Sequence, residues 1–192
     1  MRMKLLALCL ASSLAAGCGG DGGNRGDANA AEPAGEPKQA QTSIGDALAG
    51  SVDHAAFLQM LQSAGLAETL RGVGPYTVFA PTDAAFDALP EDVRARLGDS
   101  GQRERLVALL SYHIVPGTVT TEDLGNAIDR APGGRAELRS VTGDNLALTR
   151  DGEAILVGDG SDDPARIVAA DRLQANGVLH GIDAVLMPGG GE

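Results

Sequence analysis

Tryptophan is absent from the 192 residues, and only 2 tyrosines and 3 phenylalanines accompany plentiful aliphatics. Stacking platforms for sugars are therefore scarce, and a core must be built from Leu, Val, Ile and Ala. Cysteine is nearly missing too: Cys9 lies in an apolar leader and Cys18 where that leader ends. Loss of the leader leaves one thiol, which excludes an intrachain disulfide, and no Cys/His spacing suits zinc. Basic side chains number 15 against 26 acidic ones, so the basic stripe that nucleic acid requires is lacking. No glycine motif that cradles phosphate is present, so no nucleotide and no cofactor is expected. Length allows one domain with appendages, and no internal repeat is visible.

The N-terminus reads as an export signal. Arg2 and Lys4 form its positive end, and residues 5–14 are an apolar run too short to span a bilayer. Ala15-Ala16-Gly17 then precede Cys18, an arrangement that resembles a bacterial lipobox, with Leu14 one place earlier than usual. The resemblance implies cleavage before Cys18 and lipid attachment to it. More than one acyl chain would then anchor the chain stably. Cleavage removes Arg2 and Lys4, taking the net charge from −11 to −13. Residues 18–41 read as a flexible tether of Gly, Ala, Asp, Glu and Pro, unable to bury enough surface to offset its chain entropy. A tether of about 24 residues has a random-coil reach of roughly 25–30 Å. Arg25-Gly26-Asp27 inside it is a product of composition.

The folded part, residues 42–188, is organised around Gly74-Pro75-Tyr76-Thr77-Val78-Phe79-Ala80-Pro81-Thr82-Asp83-Ala84-Ala85-Phe86-Asp87-Ala88-Leu89-Pro90. Residues 76–80 alternate and are rich in aromatic and β-branched side chains, so they read as a strand that Pro81 stops. Thr82 or Asp83 can cap a short helix over 84–89. The result is a corner with two apolar faces to bury.

Upstream, Ser43 caps a helix through Ile44, Ala47 and Leu48. Ser51 or Asp53 is the expected cap of the next helix, which carries Phe57, Leu58, Leu61 and Ala64 and stops at Gly65. Downstream, Pro90 opens a helix closed by Gly98, and Asp99 or Ser100 starts the longest helix, through Leu106, Leu109 and Leu110 to Tyr112-His113. Pro116-Gly117 is a type II turn signal. Residues 118–120 are expected to return as a strand, 121–124 to form a turn or short helix, and 126–134 to be loop. Strands follow over 136–141, 145–149, 153–157, 166–171 and 178–187. Asp151-Gly152 and Asn176-Gly177 serve as two-residue hairpin turns. Helices first and strands afterwards define an α+β domain, with 189–192 as a tail.

Three stretches resemble the signatures of the fasciclin (FAS1) domain family. They are the organising corner, Leu109-Leu110-Ser111-Tyr112-His113-Ile114-Val115-Pro116-Gly117, and Asn176-Gly177-Val178-Leu179-His180-Gly181 running on to Pro188. They stand in the family's order and at its spacing, over residues 43–188. The resemblance implies the FAS1 fold: two small β-sheets forming a wedge with a packed layer of helices. It also implies a non-enzymatic cell-adhesion or matrix-contact role on a surface or matrix protein or polysaccharide. A periplasmic small-molecule or glycan binder, with a cleft beside Tyr112, is the alternative.

Three histidines bear on chemistry. His54 reads as exposed beside Asp53 and is given no role. His113 lies between an apolar helix and an apolar strand, and a buried imidazole needs partners for both nitrogens. The resemblance implies that Tyr112-His113 packs near the corner, where Thr82 or Asp83 supplies an oxygen. The expected structural latch is therefore Thr82, Asp83, His113 and His180, the last on the inward face of its strand. An interaction role for Tyr112 and His113 is the rival reading. Ser111, His113 and Asp83 can be written as a triad, but no nucleophile turn or oxyanion hole accompanies them, so no catalytic residue is assigned. The acidic stretch 158–164 lacks the spacing of a calcium loop, and no metal site is expected.

Overall fold

Alternation in Tyr76–Pro81 makes strand β1, and its residues Thr77 to Ala80 are all fully buried. A strand covered on both faces belongs in the middle of a sheet. β1 pairs antiparallel with β2 (Ile114–Pro116) and parallel with β7 (Gly177–Ile182), in a register that sets Tyr76 opposite both Pro116 and Gly177. The computed structural model describes residues 42–98, 100–158 and 164–188. Among them the remaining strands are β3 (Ala136–Arg139), β4 (Asn145–Asp151), β5 (Ala154–Gly158) and β6 (Ala165–Gln174). The strand order is β2-β1-β7-β6-β5-β4-β3. β6 belongs to two ladders. Its start pairs with β5 at Arg166–Leu156, and the rest pairs with β7 through two register shifts. Those irregularities let one strand serve both sheets, which gives the wedge.

Six α-helices lie among the described residues. α1 (Ile44–Ala49) is capped by Ser43, whose hydroxyl accepts from the Asp46 N–H, and α3 (Asp83–Asp87) by Thr82, which accepts from the Ala85 N–H. α2 (Ala55–Ala64) ends at Gly65, left-handed at φ 80°, as a helix stop of this kind requires. α4 (Glu91–Leu97) buries no residue, while α5 (Arg103–Tyr112) buries Leu106, Leu109, Leu110 and Tyr112. The two faces of β1 feed two cores. Val78 and Ala80 join Phe57, Leu61 and Leu110 under α1, α2 and α5. Phe79 joins Leu124, Ile128, Leu146 and Leu148 beneath α6 (Thr121–Arg130).

α6 corrects the sequence reading, which placed loop over 126–134. Its start carries a capping box between Thr120 and Asp123, and Leu124, Ala127 and Ile128 recur at helical spacing toward the core. Gly125 and Asn126, poor helix formers, hide the pattern. A Cβ on Gly125 would come within 2.6 Å of the Arg150 guanidinium, so a larger residue there makes that flexible side chain turn aside. Residues 118–120 form no strand; Thr77 holds them instead, its hydroxyl donating to the Gly117 carbonyl at 2.8 Å and accepting from the Val119 N–H at 2.9 Å. β7 stops at Ile182 instead of continuing to 187. α5 begins at Arg103 after a 3-10 turn over Ser100–Gln102. The leader, Cys18, the tether, Asp99, residues 159–163 of the acidic loop and the tail lie outside the described residues.

Both hairpin turns sit one residue away from their expected place. Asp151 pairs with Ala154, so Gly152 and Glu153 make that turn. Gln174 pairs with Gly177, so Ala175 and Asn176 make the other. Asn176 is chosen for more than its turn. Its carbonyl oxygen accepts from the Ile44 N–H at 2.8 Å, and its amide donates to the carbonyls of Leu70 (2.7 Å) and Gly72 (2.8 Å). One half-buried side chain thus joins α1, the turn before β1 and the β6–β7 hairpin. Asn176→Ala is expected to lower unfolding stability by about 2 kcal/mol, because water can replace only part of these bonds. A urea midpoint equal to wild type would remove Asn176 from this role.

Candidate functional site

The corner and the three histidines meet around the β1–β7 pair. Asp83 is the first piece. Its carboxylate accepts from the backbone N–H groups of Ala56 (2.8 Å) and Ala55 (3.3 Å), the free donors at the start of α2. The Asp83 N–H donates to the Asp53 carbonyl at 2.8 Å. The cap expected from Ser51 or Asp53 is therefore supplied across the fold.

That docking explains His54, which is buried at 2% exposure and not exposed as its sequence neighbours suggest. Its Nδ1–H donates to the Pro81 carbonyl at 3.0 Å. Its ring lies over Gly181, where an added Cβ would meet Ala169 Cβ at 3.0 Å and His54 Cε1 at 3.4 Å. The tight neighbour of Gly181 is Ala169 of β6, and the His54 ring stands at ordinary contact distance beyond it.

His113 caps the C-terminus of α5 and is completely buried. Its Nδ1–H donates to the Leu109 carbonyl at 2.8 Å, and Nε2 accepts from the Leu186 N–H at 3.0 Å. These two bonds require the neutral tautomer with the proton on Nδ1. Burial drives its pKa from 6.5 to about 4, partly opposed by the bond to Leu109. The ring sits 5.8 Å from that of Phe57, and its own carbonyl accepts from the Phe79 N–H of β1. So the partners expected from Thr82 and Asp83 are corrected. Both oxygens are committed to helix starts, and His113 ties α5 to the 183–186 segment and to β1.

His180 is also fully buried and stacks on Phe79, ring centres 5.4 Å apart. Its Nδ1 accepts from the Asp171 N–H at 3.2 Å, and its Nε2–H donates to the Val119 carbonyl at 2.9 Å. Burial lowers its pKa, opposed by the Val119 bond and the Asp171 charge. Asp171 sits at φ 52°, a left-handed position that Asp tolerates, where the register of β6 shifts. Its carboxylate accepts from the Thr121 N–H at 2.8 Å and from the Thr121 hydroxyl, at the start of α6. Asp171, Thr77 and Asn176 are organising polar residues that the sequence reading missed. Only Asn176, next to a turn glycine, carried a local signal.

Tyr112 is 1% exposed, and its hydroxyl donates to the Asn145 carbonyl at 3.0 Å. Neither Tyr112 nor His113 therefore offers a face to a partner, and the cleft expected beside Tyr112 has no open aromatic wall. Ser111, His113 and Asp83 do not converge, since His113 and Asp83 both bond to backbone. Among the described residues no group of three or more His, Cys, Asp or Glu could hold a metal ion. No helix there is long and apolar enough to cross a membrane.

In this α+β wedge the three histidines and Thr77 are all buried and bonded to backbone groups at helix ends and strand junctions. The chain belongs to the fasciclin domain family: the Fasciclin domain model matches residues 53–188. It is 32% identical over 146 residues to protein sll1483 of Synechocystis, covering 76% of this chain and 73% of that one. It is 34% identical over 143 residues to the transforming growth factor-beta-induced protein ig-h3 of Sus scrofa, covering 74% of this chain but 19% of that protein. The chain thus spans about a fifth of that longer relative. Its fold matches the FAS1 domain pair from the insect cell adhesion molecule Fasciclin I at a TM-score of 0.68 and 15% identity, covering 77% of this chain and 51% of that one.

The buried histidines predict a pH dependence. Above pH 6.5 both folded and unfolded His113 are neutral and stability is complete. As pH falls from 6.5 toward about 4, only the unfolded chain takes up the proton, so stability is lost. The His113 contribution to that loss is about 2 kcal/mol by pH 5, from roughly 1.4 kcal/mol per pKa unit. His180 acts in the same direction. Urea midpoints measured at pH 7.5 and pH 5 check it; a midpoint that does not move would show that these rings are protonated in the folded state.

Proposed function

We propose that the chain is an exported, non-enzymatic interaction module, anchored to a bacterial cell envelope by lipid on Cys18 and carried on the 18–41 tether. Its fasciclin domain, over 42–188, contacts a surface or matrix protein or polysaccharide. One observation carries the reading. All three histidines, the groups suited to proton transfer at neutral pH, are buried and bonded to backbone. The acid–base groups of the domain are thus spent on architecture, which leaves recognition by loops and surface as its output. The solved neighbour that shares the fold is an insect cell adhesion molecule, which supports this reading. Weak contacts made by single domains gain strength when many copies share a surface.

The test has two arms. Labelled palmitate is expected in the wild-type protein and not in Cys18→Ala. Cells lacking the chain are expected to lose attachment to a matrix-coated surface, with recovery on return of the wild type. Labelling that persists in Cys18→Ala sinks the anchor, and unchanged attachment sinks the adhesion role.

A further inference from the structure

α4 is the least buried of the six described α-helices. It buries no side chain, and only Val93 and Leu97 are half-covered. Between it, α2 and α5 runs a groove of about 540 Å³, inside the roughly 300–1,000 Å³ range of small-ligand sites. Ala56, Met60, Leu97 and Leu106 line it with carbon, Gln59 and Ser63 add polar groups, and Arg94 and Arg103 stand along it.

The two arginines are unusual in a chain of net charge −11. Arg103 donates only to the Ala64 carbonyl, at 3.2 Å, and no carboxylate of the described residues forms an ion pair with it. Arg94 has one long ion pair, 3.5 Å to Asp87, with its side chain 46% exposed. Two guanidinium forks with donors to spare, over an apolar trough, match an anionic head joined to an aliphatic body.

We propose that this groove binds a single-chain carboxylate amphiphile, its head between Arg94 and Arg103 and its chain along Met60, Leu97 and Leu106. Charge complementarity selects the head, since the carboxylate meets two cations that the described residues leave with one long ion pair between them. The floor selects a chain over a helix. A docking helix needs a long stripe of anchors at i, i+3, i+4 and i+7, and these few side chains form a short trough. Flexible Met60 adapts to an irregular alkyl chain. The loosely held α4 is the wall that can shift with least loss of buried contacts.

The probe is dodecanoate below its micellar concentration, titrated calorimetrically into the full chain carrying Cys18→Ala, so that no acyl chain on Cys18 competes. Saturable binding of one molecule per chain is expected. Dodecanol should bind at least tenfold more weakly, and the Arg94→Gln/Arg103→Gln double variant should weaken dodecanoate at least tenfold while losing only a few degrees of melting temperature, since it gives up one exposed ion pair and one bond to the Ala64 carbonyl. Leu97→Gln keeps both cations and should also weaken dodecanoate, which separates groove binding from simple charge attraction. Absence of saturable binding, or equal affinity in the double variant, overturns the proposal. So does binding of a glutamate-rich peptide without dodecanoate, which assigns the groove to a polypeptide. Self-association lost in the double variant, again without dodecanoate binding, assigns it to a second copy and equally overturns it.

Discussion

Gly177→Ala is expected to leave the chain without a folded domain. Gly177 sits at φ 148°, and a Cβ there would collide with the Tyr76 carbonyl. Neither side can yield. Tyr76 is paired on one edge with Pro116 and on the other with Gly177 itself, so its carbonyl is fixed by β2 and β7 together. Any outward shift of β7 would pull His180 from the Val119 carbonyl and open the core around Phe79 and Leu179. The loss should exceed about 4 kcal/mol, the range reserved for backbone clashes and buried defects. Gly117→Ala provides the comparison. Its φ of 105° is also positive, but an added Cβ meets nothing within 4 Å. Only conformational strain of about 1–2 kcal/mol applies there. Far-ultraviolet circular dichroism and urea midpoints of both variants test the pair. A Gly177→Ala protein as stable as Gly117→Ala would show that the β1–β7 spacing is not tight.

The contrast between these glycines also marks what the sequence could reveal. Local chemistry was legible. Ser43, Thr82 and Gly65 sit where caps and stops are needed because the groups they satisfy lie within a few residues. So were the strand that ends at Pro81 and the α+β class, since periodicity is a property of short windows. Interactions across the fold were not. Asp83 caps a helix 28 positions earlier, and the nearer candidates Ser51 and Asp53 looked sufficient. His54 seemed exposed because it stands beside Asp53 near a helix start, while its partner, the Pro81 carbonyl, lies 27 positions away. Gly125 concealed α6, and the Arg150 guanidinium that lies over it comes from β4. In the candidate site the burial of His113 and His180 was legible from their apolar flanks. Their partners were not, since all are backbone groups whose sequence carries no mark.

His113→Ala should be the second large effect, and it separates architecture from recognition at the residue where the two readings compete. Truncation removes a fully buried ring from beside Phe57 and leaves the Leu109 carbonyl and the Leu186 N–H without their partner. A cavity and two orphaned polar groups together should cost about 4 kcal/mol. At roughly 2–4 °C per kcal/mol for a domain of this size, the melting temperature should fall by about 10 °C. His113→Gln tests the cause separately. It retains one donor and one acceptor, so it should recover part of the stability, yet it cannot titrate. Its stability should therefore decline less than that of wild type between pH 7.5 and pH 5, by the share that His113 contributes. A His113→Ala protein that melts like wild type but no longer supports attachment would assign this ring to a partner and not to the joint between α5, β1 and the 183–186 segment. A melt that falls as expected, with attachment lost only in proportion to the folded fraction, keeps recognition on the surface, where the buried Tyr112 and His113 have no part.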